Sequence, residues 1–119
     1  MTHWEVASTD EFDAWWYTLD DFARASIDAH VQLLEEHGPN LGYPYSTDIA
    51  GSRHGNLREL RVQSKGRPLR LFYAFDPCRT AILLIGGDKT ADKRFYERII
   101  PVADRLYARH LQMIGDDNG

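Results

Sequence analysis

The sequence predicts an α+β domain: N-terminal helices packed on one face of a twisted antiparallel β-sheet, and a C-terminal helix. Three observations carry this expectation. Apolar residues recur at helical spacing over residues 10–37. Three short apolar runs follow between residues 57 and 87, separated by clusters of turn residues. Helical spacing returns over residues 91–114.

Trp4-Glu5-Val6 suits a short opening strand, and Thr9 or Asp10 then supplies a helix N-cap. Phe12, Trp15, Trp16 and Leu19 fall at helical spacing, and Phe22, Ile27, Val31 and Leu34 continue the face. Gly38-Pro39 stops it, because glycine suits a helix end and proline cannot continue one. Residues 10–37 therefore form one bent helix or a helical hairpin, and residues 38–56, dense in Gly, Pro, Asn and Ser, form a loop. The strands fall near 57–63, 68–75 and 80–87, with turns at 64–67 and 76–79. Tyr96, Ile99, Ile100, Ala103, Leu106, Tyr107, His110 and Ile114 make the last helical stripe, which Pro101 should kink or divide. Residues 115–119 read as a disordered tail.

The 119 residues suit one domain, and 43% apolar residues suffice for a modest core. A single cysteine, Cys78, excludes an internal disulfide and a cysteine-rich zinc site. There is no membrane-length apolar run and no signal-peptide pattern at the N-terminus, which places the chain in the cytosol without a membrane partner. The net charge of −4 conceals an asymmetry. Residues 1–50 hold ten acids and one base, Arg24, whereas residues 51–98 hold eleven bases and five acids. The total argues against a histone-like nucleic-acid coat, but the basic centre permits a local phosphate site.

Strand parity sharpens that possibility. A turn at Lys65-Gly66 sets Val62 opposite Leu69 and Leu60 opposite Leu71 on the core face. The same register sets Arg61 opposite Arg70 on the other face, beside Glu59 and Gln63. Extending it across the next turn pairs Phe75 with Thr80, Tyr73 with Ile82 and Leu71 with Leu84, which brings Lys89 to the arginines' face with Arg67 at its rim. Facing arginines repel and require a compensating anion. Glu59 would make that a surface network of little weight. A ligand phosphate is the other choice, to which a planar guanidinium is well suited.

Gly86-Gly87-Asp88-Lys89-Thr90 lacks P-loop spacing; its glycines either admit a ligand or make a plain strand-to-helix turn. Lys93 and Tyr96 sit one helical turn apart and could face the basic side. The five histidines show no metal-ligand spacing, and only His54 lies in the loop beside the basic strand. Trp15 and Trp16 suit the core or a partner contact.

Leu57-Arg58-Glu59-Leu60-Arg61-Val62, then Gly66-Arg67-Pro68-Leu69-Arg70-Leu71-Phe72-Tyr73, then Gly86-Gly87-Asp88-Lys89-Thr90 with Phe95-Tyr96-Glu97, resemble the RelE/ParE toxin superfamily, and within it the HigB-like (phage Gp49-like) branch. Leu41-Gly42-Tyr43-Pro44-Tyr45-Ser46 resembles the segment before that branch's first long strand. The resemblance implies a RelE-like fold and a type II toxin that cleaves mRNA on the ribosome without a metal or other cofactor. It also implies a cognate antitoxin partner.

The RNA's own 2′-hydroxyl would attack the adjacent phosphate, so the protein must hold the phosphate, stabilise the phosphorane and move two protons. On this reading Arg61 and Arg70 neutralise the phosphate, and Arg67 grips the backbone or assists the leaving group. Lys89 or Lys93 stabilises charge, and Tyr96 relays a proton or stacks on a base. Arg58, Lys65 and His54 contact RNA. Arg61→Ala or Arg70→Ala should then abolish activity in a folded protein. A gyrase-poisoning toxin of the same fold and a non-catalytic binding module remain rivals, since fold alone does not fix function.

Overall fold

The computed structural model describes residues 3–118. In chain order the elements are β1 (Glu5–Ser8), α1 (Asp10–Trp16), α2 (Asp21–His37), a single 3-10 turn at Gly38–Asn40, β2 (Ser46–Asp48), β3 (Arg58–Ser64), β4 (Arg67–Phe75), β5 (Thr80–Asp88) and α3 (Phe95–Asn118). Thr9 is the first N-cap: its hydroxyl accepts from the Phe12 amide at 3.0 Å and donates to the Leu84 carbonyl at 2.7 Å. One side chain thus starts α1 and ties it to β5. Asp20 caps α2 by accepting from the Ala23 amide at 2.8 Å, so the N-terminal helical region is two helices rather than one bent rod.

The strands form one sheet in the order β1-β5-β4-β3-β2. The β3–β4–β5 meander is antiparallel, as the sequence predicts, and β3 and β4 pair in the expected register: Arg61 opposite Arg70, Val62 opposite Leu69, Leu60 opposite Leu71. Lys65 and Gly66, at φ 51° and 80°, supply the paired positive φ of a tight hairpin turn. Of the two flanking strands, the opening one is where the sequence predicts it, though its pairing was not foreseen, and the other escaped the sequence reading. The short β2 lies inside the presumed loop, and β1 pairs with β5 in parallel, so the sheet is mixed.

The register expected between β4 and β5 is not the one observed. Phe75 pairs with Ala81, Tyr73 with Leu83, and Leu71 with Gly86. A bulge inserts Leu84 opposite the Phe72–Tyr73 step. It moves Leu83 to the face of Tyr73 and sends Leu84 and Ile85 to the other. That second face is not bare. Phe12, Ile27 and Leu34 from α1 and α2 cover one side of the sheet. Phe95, Ala103, Leu106 and Tyr107 from α3 cover the other, over Phe72, Ala74, Ile82 and Leu84. The expectation of helices on one face is therefore corrected to a three-layer arrangement.

Gly86 and Gly87 seat the two outer layers. A Cβ on Gly86 would collide with the Trp15 ring of α1, and one on Gly87 with the Phe95 ring of α3. Their role is close aromatic packing, not admission of a ligand. Pro101 is accommodated within a single helix, and α3 runs past Gly115 to Asn118 where the sequence predicts a disordered tail. Gly119 lies outside the described residues. No described helix is long and apolar enough to cross a membrane.

Candidate RNA-phosphate site

Parity on β3 sends Leu60 and Val62 to the α1/α2 core and leaves Glu59 and Arg61 on the α3 side. Arg70, opposite Arg61 on β4, points the same way. The first turn of α3 brings Tyr96 over this end of the sheet, and Thr47 of β2 completes the ring opposite Glu59. Glu59 is 3% exposed and sits at the centre. Its carboxylate accepts from the Tyr96 hydroxyl at 2.8 Å, from the Thr47 hydroxyl at 3.0 Å and from the Arg61 Nη1 at 3.4 Å. Arg70 Nε stands 3.9 Å from it. Lys89, just past β5, places Nζ 5.1 Å from the centre of the Tyr96 ring.

Glu59 is thus an anion to which both arginines turn, but it is one carboxylate against Arg61, Arg70 and Lys89. Burial and these charges together shift the proton affinities of the neighbouring groups. Lys89 is pushed below the ordinary lysine value by burial first, then by repulsion from Arg70 and Arg61, against attraction from Glu59. Tyr96 is pushed above the ordinary phenol value by burial and by donating to Glu59, so it keeps its proton. Arg70 is 4% exposed and its Nη1 donates to the Leu69 carbonyl, yet its buried Nε has no hydrogen-bond partner. An open groove of about 280 Å³, lined by Tyr43, Pro44, Arg61, Gln63, Pro68 and Arg70, leads to these guanidiniums.

Four of the nine residues that sequence reasoning assigned to RNA chemistry or binding therefore come together: Arg61, Arg70, Lys89 and Tyr96. The other five do not. Arg67 shares the parity of Leu69 and lies on the opposite face, 3.7 Å from Asp20 at the start of α2. Arg58 also faces away, donating to the Pro39 and Leu41 carbonyls and pairing with Asp48, so it is a structural brace. Lys65 sits in the hairpin turn with its ammonium over the Phe22 ring of α2. Lys93 is exposed in the turn ahead of α3, outside the network. His54 packs edge-on against Tyr107, in a cleft along the middle of α3.

Sequence reasoning offered Glu59 only as a competing surface anion and did not use Thr47, Tyr43 or Gln63 in the chemistry. The signal for Glu59 was its shared parity with Arg61 and its position opposite Phe72, under α3. Among the described residues no three His, Cys, Asp or Glu side chains gather as a metal-ligating group.

The fold has solved counterparts. The solved structures it resembles include the E. coli toxin RelE in a free-state mutant form, with a TM-score of 0.61 at 13% identity over 82% of this chain and 96% of that one. The archaeal RelE–RelB complex from Pyrococcus horikoshii gives 0.55 at 15% identity, over 75% and 97%. The toxin–antitoxin complex RelBE2 from Mycobacterium tuberculosis gives 0.55 at 16%, over 74% and 93%. At these identities the likeness is one of fold, and the fold is that of the RelE-like toxins. Sequence relatives are nearer. The chain is 42% identical over 96 residues to HigB3 of M. tuberculosis, described as a candidate toxin, covering 80% of this chain and 82% of that protein. It is 39% identical over 113 residues to the candidate toxin HigB2 of the same organism, covering 93% of this chain but 56% of the relative, so it spans about half of HigB2's length. The model of the phage-derived Gp49-like proteins matches residues 14–108, and the chain belongs to that family.

Proposed function

We propose that the chain is the toxin of a type II toxin–antitoxin pair, an endoribonuclease that cuts mRNA on the ribosome in the cytosol. The observation that carries this reading is the facing pair Arg61 and Arg70, joined by Lys89 and balanced by the single carboxylate of Glu59 beside an open groove. Such a site attracts a phosphodiester.

In the proposed step the RNA 2′-oxygen attacks the neighbouring phosphorus and the bond to the 5′ oxygen breaks, leaving a 2′,3′-cyclic phosphate and a 5′-hydroxyl. Arg61 and Arg70 hold the phosphate and stabilise the negative charge that builds on it. Glu59 positions both guanidiniums and the Tyr96 hydroxyl. Burial first, then the charges of Arg70 and Arg61, loosen the Lys89 proton relative to an ordinary lysine, so Lys89 is the group suited to protonate the leaving 5′ oxygen while the 2′ proton passes to water. The related RelE-type chains solved with RelB-type partners support a cognate antitoxin for this chain as well.

The test is brief expression in a bacterial host with primer extension on cellular transcripts. Transcript breaks that vanish in Arg61→Ala support the nuclease. DNA damage with intact transcripts would instead indicate a gyrase poison, and harmless expression without antitoxin a non-catalytic module. Arg61 is the better site for substitution, because its side chain is 34% exposed. Arg70 is buried against Glu59, so Arg70→Ala would strand a buried carboxylate and confound activity with folding. This revises the expectation that either substitution leaves the fold intact.

A further inference from the structure

Tyr43 stands at the mouth of the same groove with 79% of its surface exposed. It is not on a slack loop. The Tyr45 and Ser46 amides both donate to the Gly42 carbonyl, and the Arg61 amide donates to the Tyr45 carbonyl at 2.9 Å. The buried Ser46 hydroxyl is bonded to the Tyr73 hydroxyl at 2.6 Å, and Arg58 clamps the carbonyls of Pro39 and Leu41. The backbone on both sides of Tyr43 is therefore anchored to the sheet, and its ring is held in solvent next to Arg61 and Arg70.

The rest of the groove has complementary chemistry. Pro44 and Pro68 give apolar walls without amide donors. Gln63, exposed on β3, brings both a donor and an acceptor. Arg70, its Nε buried beside Glu59, lines the groove with Arg61 and adds cationic charge to it. An exposed aromatic beside a cationic phosphate site is how proteins grip unstacked bases of single-stranded RNA. We propose that Tyr43 and Gln63 form a nucleobase subsite: the base adjoining the phosphate held by Arg61 and Arg70 stacks on the Tyr43 ring, and the Gln63 amide meets its edge. This rests on the RNA-cutting reading above and adds where a base is held.

The purified chain is titrated with a fluorescent single-stranded oligoribonucleotide that is 2′-O-methylated, so that it cannot be cleaved, and with an abasic oligomer of the same backbone. Tyr43→Ala should weaken binding of the base-bearing oligomer about tenfold, the scale of one lost base–aromatic stack. It should leave binding of the abasic oligomer unchanged, and Tyr43→Phe should keep parental affinity for both. Equal weakening of both oligomers, or of neither, overturns the subsite while leaving the phosphate site standing. If the parent chain binds neither oligomer at any salt concentration, the subsite falls, and the transcript breaks of the expression test decide the RNA-cutting reading separately.

Discussion

Replacing Glu59 by Gln keeps the size of the side chain and removes the one negative charge among Arg61, Arg70 and Lys89. The amide oxygen can still accept from Tyr96 or Thr47, so the hydrogen bonds survive in part. The charge balance does not. At an effective dielectric of 20, a full charge pair at the 3.9 Å separating Arg70 Nε from Glu59 interacts by about 4 kcal/mol. The Arg61 contact at 3.4 Å is nominally stronger, but that side chain is 34% exposed and solvent screens it. Breaking a buried pair by removing one partner costs about 3–5 kcal/mol, and the residual hydrogen bonds point to the lower end. Glu59→Gln should therefore lose about 3 kcal/mol in urea unfolding, or roughly 10 °C in Tm, in a buffer free of phosphate and sulfate. Adding inorganic phosphate should recover more stability in the variant than it adds to the parent, because an anion bound only by the folded state stabilises it by mass action. A loss below about 1 kcal/mol, or equal stabilisation of both proteins by phosphate, would refute the view that Glu59 neutralises an anion site.

Thr9→Ala removes both a helix cap and the bond to the Leu84 carbonyl, and should cost about 1–2 kcal/mol in urea unfolding while Thr9→Ser recovers most of it; equal losses in the two would discount the hydroxyl. Gly86→Ala forces a methyl into the Trp15 ring and should cost about 1–3 kcal/mol, relieved when Trp15 is shortened to Leu; additivity of the two changes would show that they do not touch. The Glu11 carboxyl is drawn from 4.5 down to about 2, first by its hydrogen bonds with Arg109. A depressed folded value means the stabilisation is present above pH 4.5 and lost as pH falls toward 2. Glu11→Gln should thus be less stable than the parent at pH 6 and converge with it near pH 2, and a gap independent of pH in denaturant titrations would count against the pairing.

The sequence revealed some registers and hid others for a physical reason. Between β3 and β4, Leu60-Arg61-Val62 and Leu69-Arg70-Leu71 alternate apolar and cationic residues, and only one pairing puts all the leucines and Val62 together. In β5, by contrast, Ala81-Ile82-Leu83-Leu84-Ile85 is apolar throughout, because helices cover both faces. A continuous run carries no parity, so the bulge at Leu84 left no trace in the pattern. That run, with Phe72 and Ala74, was itself the sign of a second buried face. Arg67 and Arg58 were misplaced for the opposite reason. Their parity with Leu69 and Leu60 was available, but residues at strand ends invite assignment by proximity in sequence. Nothing local in Ser46-Thr47-Asp48 announces a strand, since its three residues gain their ladder only from β3.

The same parity explains how an acidic chain holds a cationic site. The bases of residues 51–98 do not pool on one surface. Arg58 and Arg67 turn to the α1/α2 side, where Asp48 and Asp20 meet them, and there they act as braces. Arg61 and Arg70, offset from these by odd numbers of residues, turn to the α3 side, where among the described residues Glu59 alone pairs with them and Lys89 adds to their charge. The cationic site thus depends less on how many bases the segment carries than on which face each one takes. A one-residue slip of β4 against β3 would turn Arg70 to the α1/α2 side and Arg67 to the α3 side, parting Arg70 from Arg61. The apolar alternation that fixes the hairpin for folding is therefore also what leaves Arg61 and Arg70 short of counter-charge at the groove.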